Sequence, residues 1–226
     1  MTGIVTKSTG SWYIVRTGDK KYHQCRIRGK FRLQGIKSTN PISVGDVVDF
    51  DLEENEETGV IDKIHDRKNY IVRKSVNLSK QTHIIAANID TAFLLVTVDN
   101  PPTLPGFIDR FLATAEAYNI SAVLLFNKID SHDETQEEKR EELIEIYTKI
   151  GYQCIEISAV EKVNLDAVKS FMQDKTTMFS GHSGVGKSTL INAIEPTLDI
   201  KTAEISAQHK QGQHTTTFAE MHELSF

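Results

Sequence analysis

Cysteine is almost missing from this sequence: Cys25 and Cys154 are the only two among 226 residues. One in each half, they make neither a disulfide framework nor a zinc tetrad, and both read as small buried or half-buried thiols. Long apolar runs are missing too. The longest, AFLLV at 92–96 and AVLLF at 122–126, fall far short of the ~20 residues that a membrane-spanning helix needs. The opening MTGIVTKSTG has no signal-peptide character, so a cytoplasmic protein with no membrane partner is expected. There is no internal repeat and no low-complexity stretch. At 39% hydrophobic and 25% charged residues the composition excludes disorder. The length suits two modest domains or one large one.

Charge is the first feature that is unevenly present. The formal net charge of −5 hides 14 lysines and arginines against 10 acids in residues 1–75, and 12 against 21 in residues 76–226. Within the first 37 residues nine basic side chains (Lys7, Arg16, Lys20, Lys21, Arg26, Arg28, Lys30, Arg32 and Lys37) face Asp19 alone. Such asymmetry points to a polyanion partner for the N-terminal part. Trp12, Tyr13, Tyr22 and Phe31 are interleaved with these bases; they could be stacking platforms for nucleic acid or the filling of a small core.

Residues 1–76 hold short runs rich in β-branched and aromatic residues (GIVTK, SWYIVRTG, YHQCRIRG, GDVVDFDL, GVIDKIHD and NYIVRK) separated by glycine and polar turns. Five or so strands in so short a length imply an all-β barrel of the oligonucleotide-binding (OB-fold) type. From residue 90 the texture changes, which sets a domain boundary around Asn77 to His83. The apolar strands DTAFLLVTV, SAVLLFNK, YQCIEIS and TTMFSG alternate with helical segments near 106–118, 134–150 and 163–174. Strands buried on both faces and alternating with helices imply an α/β domain with a parallel sheet, here over 77–226. The acid-rich EENEET and DETQEEKREE read as a solvated turn and a solvated helix face.

Residues 181–188 read GHSGVGKS and satisfy GxxxxGK[ST] through Gly181, Gly186, Lys187 and Ser188. The run follows the strand TTMFS and opens the helix KSTLINAI, the context this phosphate-binding loop requires. Chance produces the pattern in roughly one chain of this length in a hundred, so it is a specific signal. The loop residues Gly181, His182, Ser183, Gly184, Val185 and Gly186, with Thr189 in the first helical turn, are expected to wrap phosphates. Backbone N–H groups and the positive end of the helix supply the attraction, and His182 is a passive member of the loop. Lys187 should reach the β and γ phosphates, and the Ser188 hydroxyl should complete the coordination of magnesium.

NKID at 127–130 follows the strand SAVLLF. Asp130 can accept from the ring N–H and exocyclic amine of guanine, which adenine lacks. Asn127 braces the loop and the stem of Lys128 covers a ring face. Ser158 and Ala159 end the strand YQCIEI, with the Ala159 N–H suited to the guanine carbonyl. NKxD alone is weak, but together with SA and the phosphate loop it describes a GTP/GDP site.

The order is reversed relative to ordinary GTPases, where the phosphate loop comes first. All three elements sit on loops at one edge of a parallel sheet, so their convergence does not depend on where the chain is cut. The sequence describes a circular permutation. With KQTHIIAANID at 80–90, IDRFL at 108–112, GHSGVGKSTLIN at 181–192 and GQHTTT at 212–217, it resembles the circularly permuted, ribosome-small-subunit-dependent GTPases A over nearly its whole length.

The resemblance implies a GTPase that acts in late maturation of the small (30S) ribosomal subunit, binds its rRNA, and hydrolyses GTP faster on the ribosome. A monomer is expected. It also makes GQHTTT the first switch, in which Thr216 would bind magnesium and His214 could position water. The family continues into a DxPG motif and a zinc-binding domain. This sequence reaches Phe226 first, at MHELSF, which looks like the strand that would deliver DxPG. It therefore reads as part of a longer chain, with zinc expected only beyond Phe226 and little or no hydrolysis by these residues alone. The competing reading is an RNA-binding barrel whose guanine-nucleotide site is structural or vestigial. Single-turnover hydrolysis with and without small subunits separates the two.

Overall fold

The structure, a computed structural model, describes residues 1–28, 41–53, 58–74, 82–200 and 219–226. These fall into two compact units, residues 1–89 with 219–223 and residues 90–200 with 224–226.

In the first unit, β1 (Thr2–Ser8), β2 (Tyr13–Thr17), β3 (Tyr22–Ile27), β4 (Val47–Leu52) and β5 (Thr58–Ile64) close into a barrel in the order β1-β2-β3-β5-β4. The period-2 alternation read from the sequence is what closes it. Along β2, Tyr13, Val15 and Thr17 turn inward while Ile14 and Arg16 do not. Val5, Tyr13, Val15, Cys25, Ile42, Val48, Phe50 and Ile61 make the core. Tyr13 is therefore core filling, whereas Trp12 and Tyr22 stay exposed. Phe31 lies outside the described residues. Both cysteines are free, Cys25 buried and Cys154 half-buried.

NYIVRK is not a barrel strand. It forms β6 (Tyr70–Lys74), paired antiparallel with β7 (Thr82–Ala87) in a separate two-stranded sheet. Alternation reports which face is buried, not which partner supplies the ladder. Asn69 and Asn88 fasten this sheet: the Asn69 side chain exchanges two hydrogen bonds with the Ile89 backbone, and Asn88 Nδ2 donates to Gly45 O at 2.8 Å. Beside them, Arg67 grips the fully buried Asp46 through two hydrogen bonds of 2.6 Å. MHELSF supplies no ladder strand. Glu220 makes a single bridge to Lys7, and the Met221 N–H donates to Thr6 O. A strand needs a continuous partner for its backbone groups, and among the described residues MHELSF has no such ladder: the Met221 N–H meets Thr6 O, and the Ser225 N–H meets a side chain, Glu195 Oε2.

The second unit is a parallel sheet in the order β10-β9-β8-β11, formed by β8 (Thr91–Val96), β9 (Ser121–Asn127), β10 (Gln153–Ile157) and β11 (Thr177–Ser180). Between strands run α1 (Pro105–Ala117), α2 (Glu134–Lys149) and α3 (Leu165–Met172), and α4 (Lys187–Ile194) follows β11. Every residue of β8 is buried, which is why TAFLLV is a continuous apolar run and not an alternating one. Asp133 begins α2 with a capping box: its carboxylate accepts from the Gln136 N–H while the Gln136 side chain accepts from the Asp133 N–H. Because the strands are parallel, the loops after β9, β10 and β11 emerge at one edge.

Candidate functional site

Those three loops carry NKID, the Ser158–Ala159 pair and GHSGVGKS, and one side chain joins them. Asn127, the last residue of β9, is 2% exposed. Its Nδ2 donates to Val185 O of the glycine-rich loop at 2.8 Å, and its Oδ1 accepts from the Ala159 N–H at 3.1 Å. Both polar ends of a buried amide are thereby satisfied, and residues far apart in sequence are fixed to one another. The Ala159 N–H, expected to meet the guanine carbonyl, is engaged by Asn127 here.

The loop's shape follows from its glycines. Gly181, Gly184 and Gly186 all hold positive φ, at 144°, 85° and 97°, in a region that L side chains rarely adopt. At Gly186 there is a second requirement, because a Cβ would fall on the Asn127 side-chain nitrogen. Lys187 reaches back across the loop, its ammonium donating to Gly181 O at 2.8 Å and His182 O at 2.7 Å. Both partners are carbonyls. Burial accordingly pulls its pKa below the usual lysine value, and an anion placed at its third N–H would relieve that cost. Ser188 and Thr189 follow in the first turn of α4, at the positive end of the helix.

The far end of α4 is tethered by two residues to which sequence reading assigned nothing. Asn192 exchanges two 2.8 Å hydrogen bonds with the Ile200 backbone. The Glu195 carboxylate accepts from the Ser225 N–H and the Thr197 hydroxyl, which lower its pKa to about 2. Only the position of an acid at a helix end could have hinted at this.

On the base side, the Ser158 hydroxyl is buried and donates to Asp130 Oδ1. Its direction is set by the Glu161 N–H, which donates to the same hydroxyl oxygen at 3.0 Å and leaves the O–H free to point at the carboxylate. Asp130 is exposed and held in one orientation, as a carboxylate reading a ligand edge must be. Lys128 takes a left-handed backbone, φ 71°, and its ammonium donates to Asn100 O. Burial lowers its pKa, against the pull of Asp130 and Asp99.

His182 does not face this cluster alone. Its ring lies 4.0 Å from that of Phe107 on α1, and burial, then Lys187 and Arg110, depress its pKa. His214 and Thr216 lie outside the described residues. Among the described residues no group of three or more His, Cys, Asp or Glu could hold a metal.

On the barrel unit, the bases of the first 28 residues prove to be largely paired. Lys7 meets Glu220, Arg16 and Lys20 meet Glu223, Lys21 meets Asp19 and Arg26 meets Glu53, at 2.5 to 3.2 Å. These are surface pairs of the kind worth about 0–1 kcal/mol. Lys30, Arg32 and Lys37 lie outside the described residues.

Two family models together match nearly the whole chain. The family model described as RsgA GTPase matches residues 64–226, and that of the RsgA N-terminal domain matches residues 2–61. The chain is 66% identical to the small ribosomal subunit biogenesis GTPase RsgA of Christiangramia forsetii, covering all of this chain and 72% of the relative. It is 63% identical to the protein of that name from Flavobacterium johnsoniae, covering 100% and 70%. Among solved structures it is similar to YjeQ from Thermotoga maritima, with a TM-score of 0.72, 33% identity and coverage of 93% and 72%. It is also similar to YloQ, described as a circularly permuted GTPase, with a TM-score of 0.64, 31% identity and coverage of 93% and 69%.

Proposed function

We propose, from the premise that this chain belongs to the RsgA GTPase family, that it is an enzyme that hydrolyses GTP to GDP and phosphate in biogenesis of the small ribosomal subunit. The observation that carries the reading is the Asn127 junction, which sets the phosphate loop and the base-reading loops on one sheet edge. In this reading the loop amides, Lys187, Ser188 and Thr189 hold the phosphates. Asn127, Lys128, Asp130, Ser158 and Ala159 hold the guanine. Residues 1–76 serve as the rRNA-binding barrel and 77–226 as the GTPase domain, in a cytoplasmic monomer. No helix among the described residues is long and apolar enough to cross a membrane.

A hydroxyl beside phosphate oxygens suits magnesium, a hard cation that keeps several waters and needs no carboxylate cage. Ser188 would hold it, with Thr216 as a second ligand, and the ion would neutralise charge on the β and γ phosphates. Lys187 adds a fixed positive charge over the same oxygens, and the loop amides do so without reorganising. His214 is the candidate for orienting water. Hydrolysis measured with and without small ribosomal subunits, on a chain that continues into DxPG, tests the whole: stimulation by the subunit is expected, and its absence there favours the vestigial-site reading.

Two further outcomes follow. GDP and GTP should bind at least about a hundredfold more tightly than ATP, since a site built for guanine's donors leaves Asp130 unpaired against adenine. Asp130→Asn should weaken GDP binding by about 1–3 kcal/mol with the fold intact. Competition against a fluorescent guanine nucleotide reads both, and equal displacement by ATP would remove the base assignment.

For the barrel, reversing Arg26, Arg28, Lys30 and Arg32 to Glu should weaken small-subunit binding and leave GDP affinity unchanged. Each rRNA phosphate that is no longer neutralised should flatten the slope of log K against log salt by about 0.7 to 0.9. Unaltered binding by a folded variant would move the binding surface elsewhere.

A further inference from the structure

The acid-rich run DETQEEKREE reads from the sequence as a solvated face of α2, but the structure corrects that at one residue: Arg140 is only 9% exposed. Its Nε lies 2.7 Å from Glu156 Oε1, and its Nη1 lies 3.0 Å from His132 Nδ1. Both partners belong to the base side of the site. His132 stands two residues after Asp130. Glu156 is on β10, two residues before Ser158, and its backbone carbonyl accepts from Asn164 Nδ2 at 2.8 Å. A single buried guanidinium therefore spans the loop carrying Asp130 and the strand delivering Ser158 and Ala159, which meet again where the Ser158 hydroxyl donates to Asp130.

Resting on the guanine-site reading above, we propose that Arg140 is a positioning residue for base recognition, bridging the NKID loop to β10 so that Asp130 is held in the alignment that reads guanine. The bridge has a chemical signature. Guanidinium nitrogens only donate, so His132 must present a lone pair at Nδ1, with its proton on Nε2. A protonated imidazole would set N–H against N–H and one cation against another. The groups facing His132 are Arg140, which opposes its protonation, and Asp130, Glu137 and Asp133, which favour it. Burial is the largest influence, and with Arg140 it brings the His132 pKa below the ordinary 6.5. The bridge is thus complete above that lowered value and is lost as pH falls through it.

The test measures GDP and IDP affinities of the full chain from pH 5 to pH 8, in wild type, Arg140→Met, His132→Asn and Asp130→Asn. Inosine lacks the exocyclic amine that Asp130 accepts from, so the ratio of the two affinities reports how well Asp130 is aimed. Arg140→Met is expected to weaken GDP roughly tenfold, about the worth of one charged hydrogen bond, and IDP less, so that the ratio falls. The Asn side chain of His132→Asn keeps an acceptor for Arg140 but cannot titrate. It should therefore retain GDP affinity at acid pH better than wild type, after the nucleotide's own titration, common to both, is subtracted. Equal weakening of GDP and IDP in Arg140→Met would make Arg140 merely structural and overturn the proposal. So would identical pH profiles for wild type and His132→Asn, a comparison that holds even if Arg140→Met fails to fold. An unchanged ratio in Asp130→Asn overturns the base-site reading beneath it, and the proposal with it.

Discussion

Lys187→Ala should abolish tight nucleotide binding, weakening GDP and GTP by about 3–5 kcal/mol, more than a hundredfold. Its ammonium is already turned into the loop by Gly181 O and His182 O, so little ordering remains to be done when a phosphate arrives. Removing it takes away two or so charge-assisted hydrogen bonds of about 1.5–3 kcal/mol each. The two loop carbonyls are left facing the site with no donor between them. Calorimetric titration with GDP in the presence of magnesium reads the effect. A loss under tenfold would mean that the backbone amides alone hold the phosphates and that Lys187 is a strut of the loop. Because the defect is local, thermal unfolding in the absence of nucleotide should scarcely move.

The second large effect is on stability. Arg67→Ala should destabilise the barrel unit by about 3–5 kcal/mol, the usual consequence of removing one partner from a buried ion pair. Asp46 has no side-chain exposure and Arg67 has 19%. Besides its two bonds to Asp46, Arg67 donates to Pro41 O at 2.9 Å, and Asp46 accepts from the Ser43 N–H at 2.8 Å. Alanine at 67 leaves a buried carboxylate with that one donor, against a domain stability of about 5–15 kcal/mol. The chain has a single tryptophan, Trp12, beside β2 on the barrel. Its fluorescence during urea unfolding therefore follows this unit. The double replacement Asp46→Leu with Arg67→Met should recover most of the loss, since the cost lies in the abandoned charge and not in the absent attraction. Failure of both results would mean that water reaches Asp46.

How far these features could be read in advance depends on whether their cause is local. The strand and helix order from residue 90 onward was legible because each element states its own burial pattern: TAFLLV is apolar throughout, and α2 declares its start in Asp133 and Gln136. The glycine-rich loop was legible because its backbone needs glycine wherever it occurs. Partnership was not. NYIVRK alternates like a barrel strand yet pairs with β7, and no period within it names that partner. Arg140 sits among acids, which on a helix usually means a wet face, and only the folded approach of His132 and Glu156 buries it. The nine bases of the first 37 residues suggested a surface for a polyanion partner. Two of the acids that cover it, Glu220 and Glu223, stand some two hundred residues away in sequence.

The close fit between Asn127 and Gly186 has a consequence for descent and for engineering. Any side chain at 186 would displace the Asn127 amide, and a residue at 127 without that amide would strand both the Val185 carbonyl and the Ala159 N–H. Neither position can change alone, and the two are indifferent to which of them the ribosome makes first. What survives when a gene is cut and rejoined is therefore an interlock between loops, not a reading order. Someone transplanting this nucleotide site to another parallel sheet would have to carry the asparagine from the neighbouring strand along with the glycine-rich loop. The loop taken by itself would arrive without the part that holds its shape.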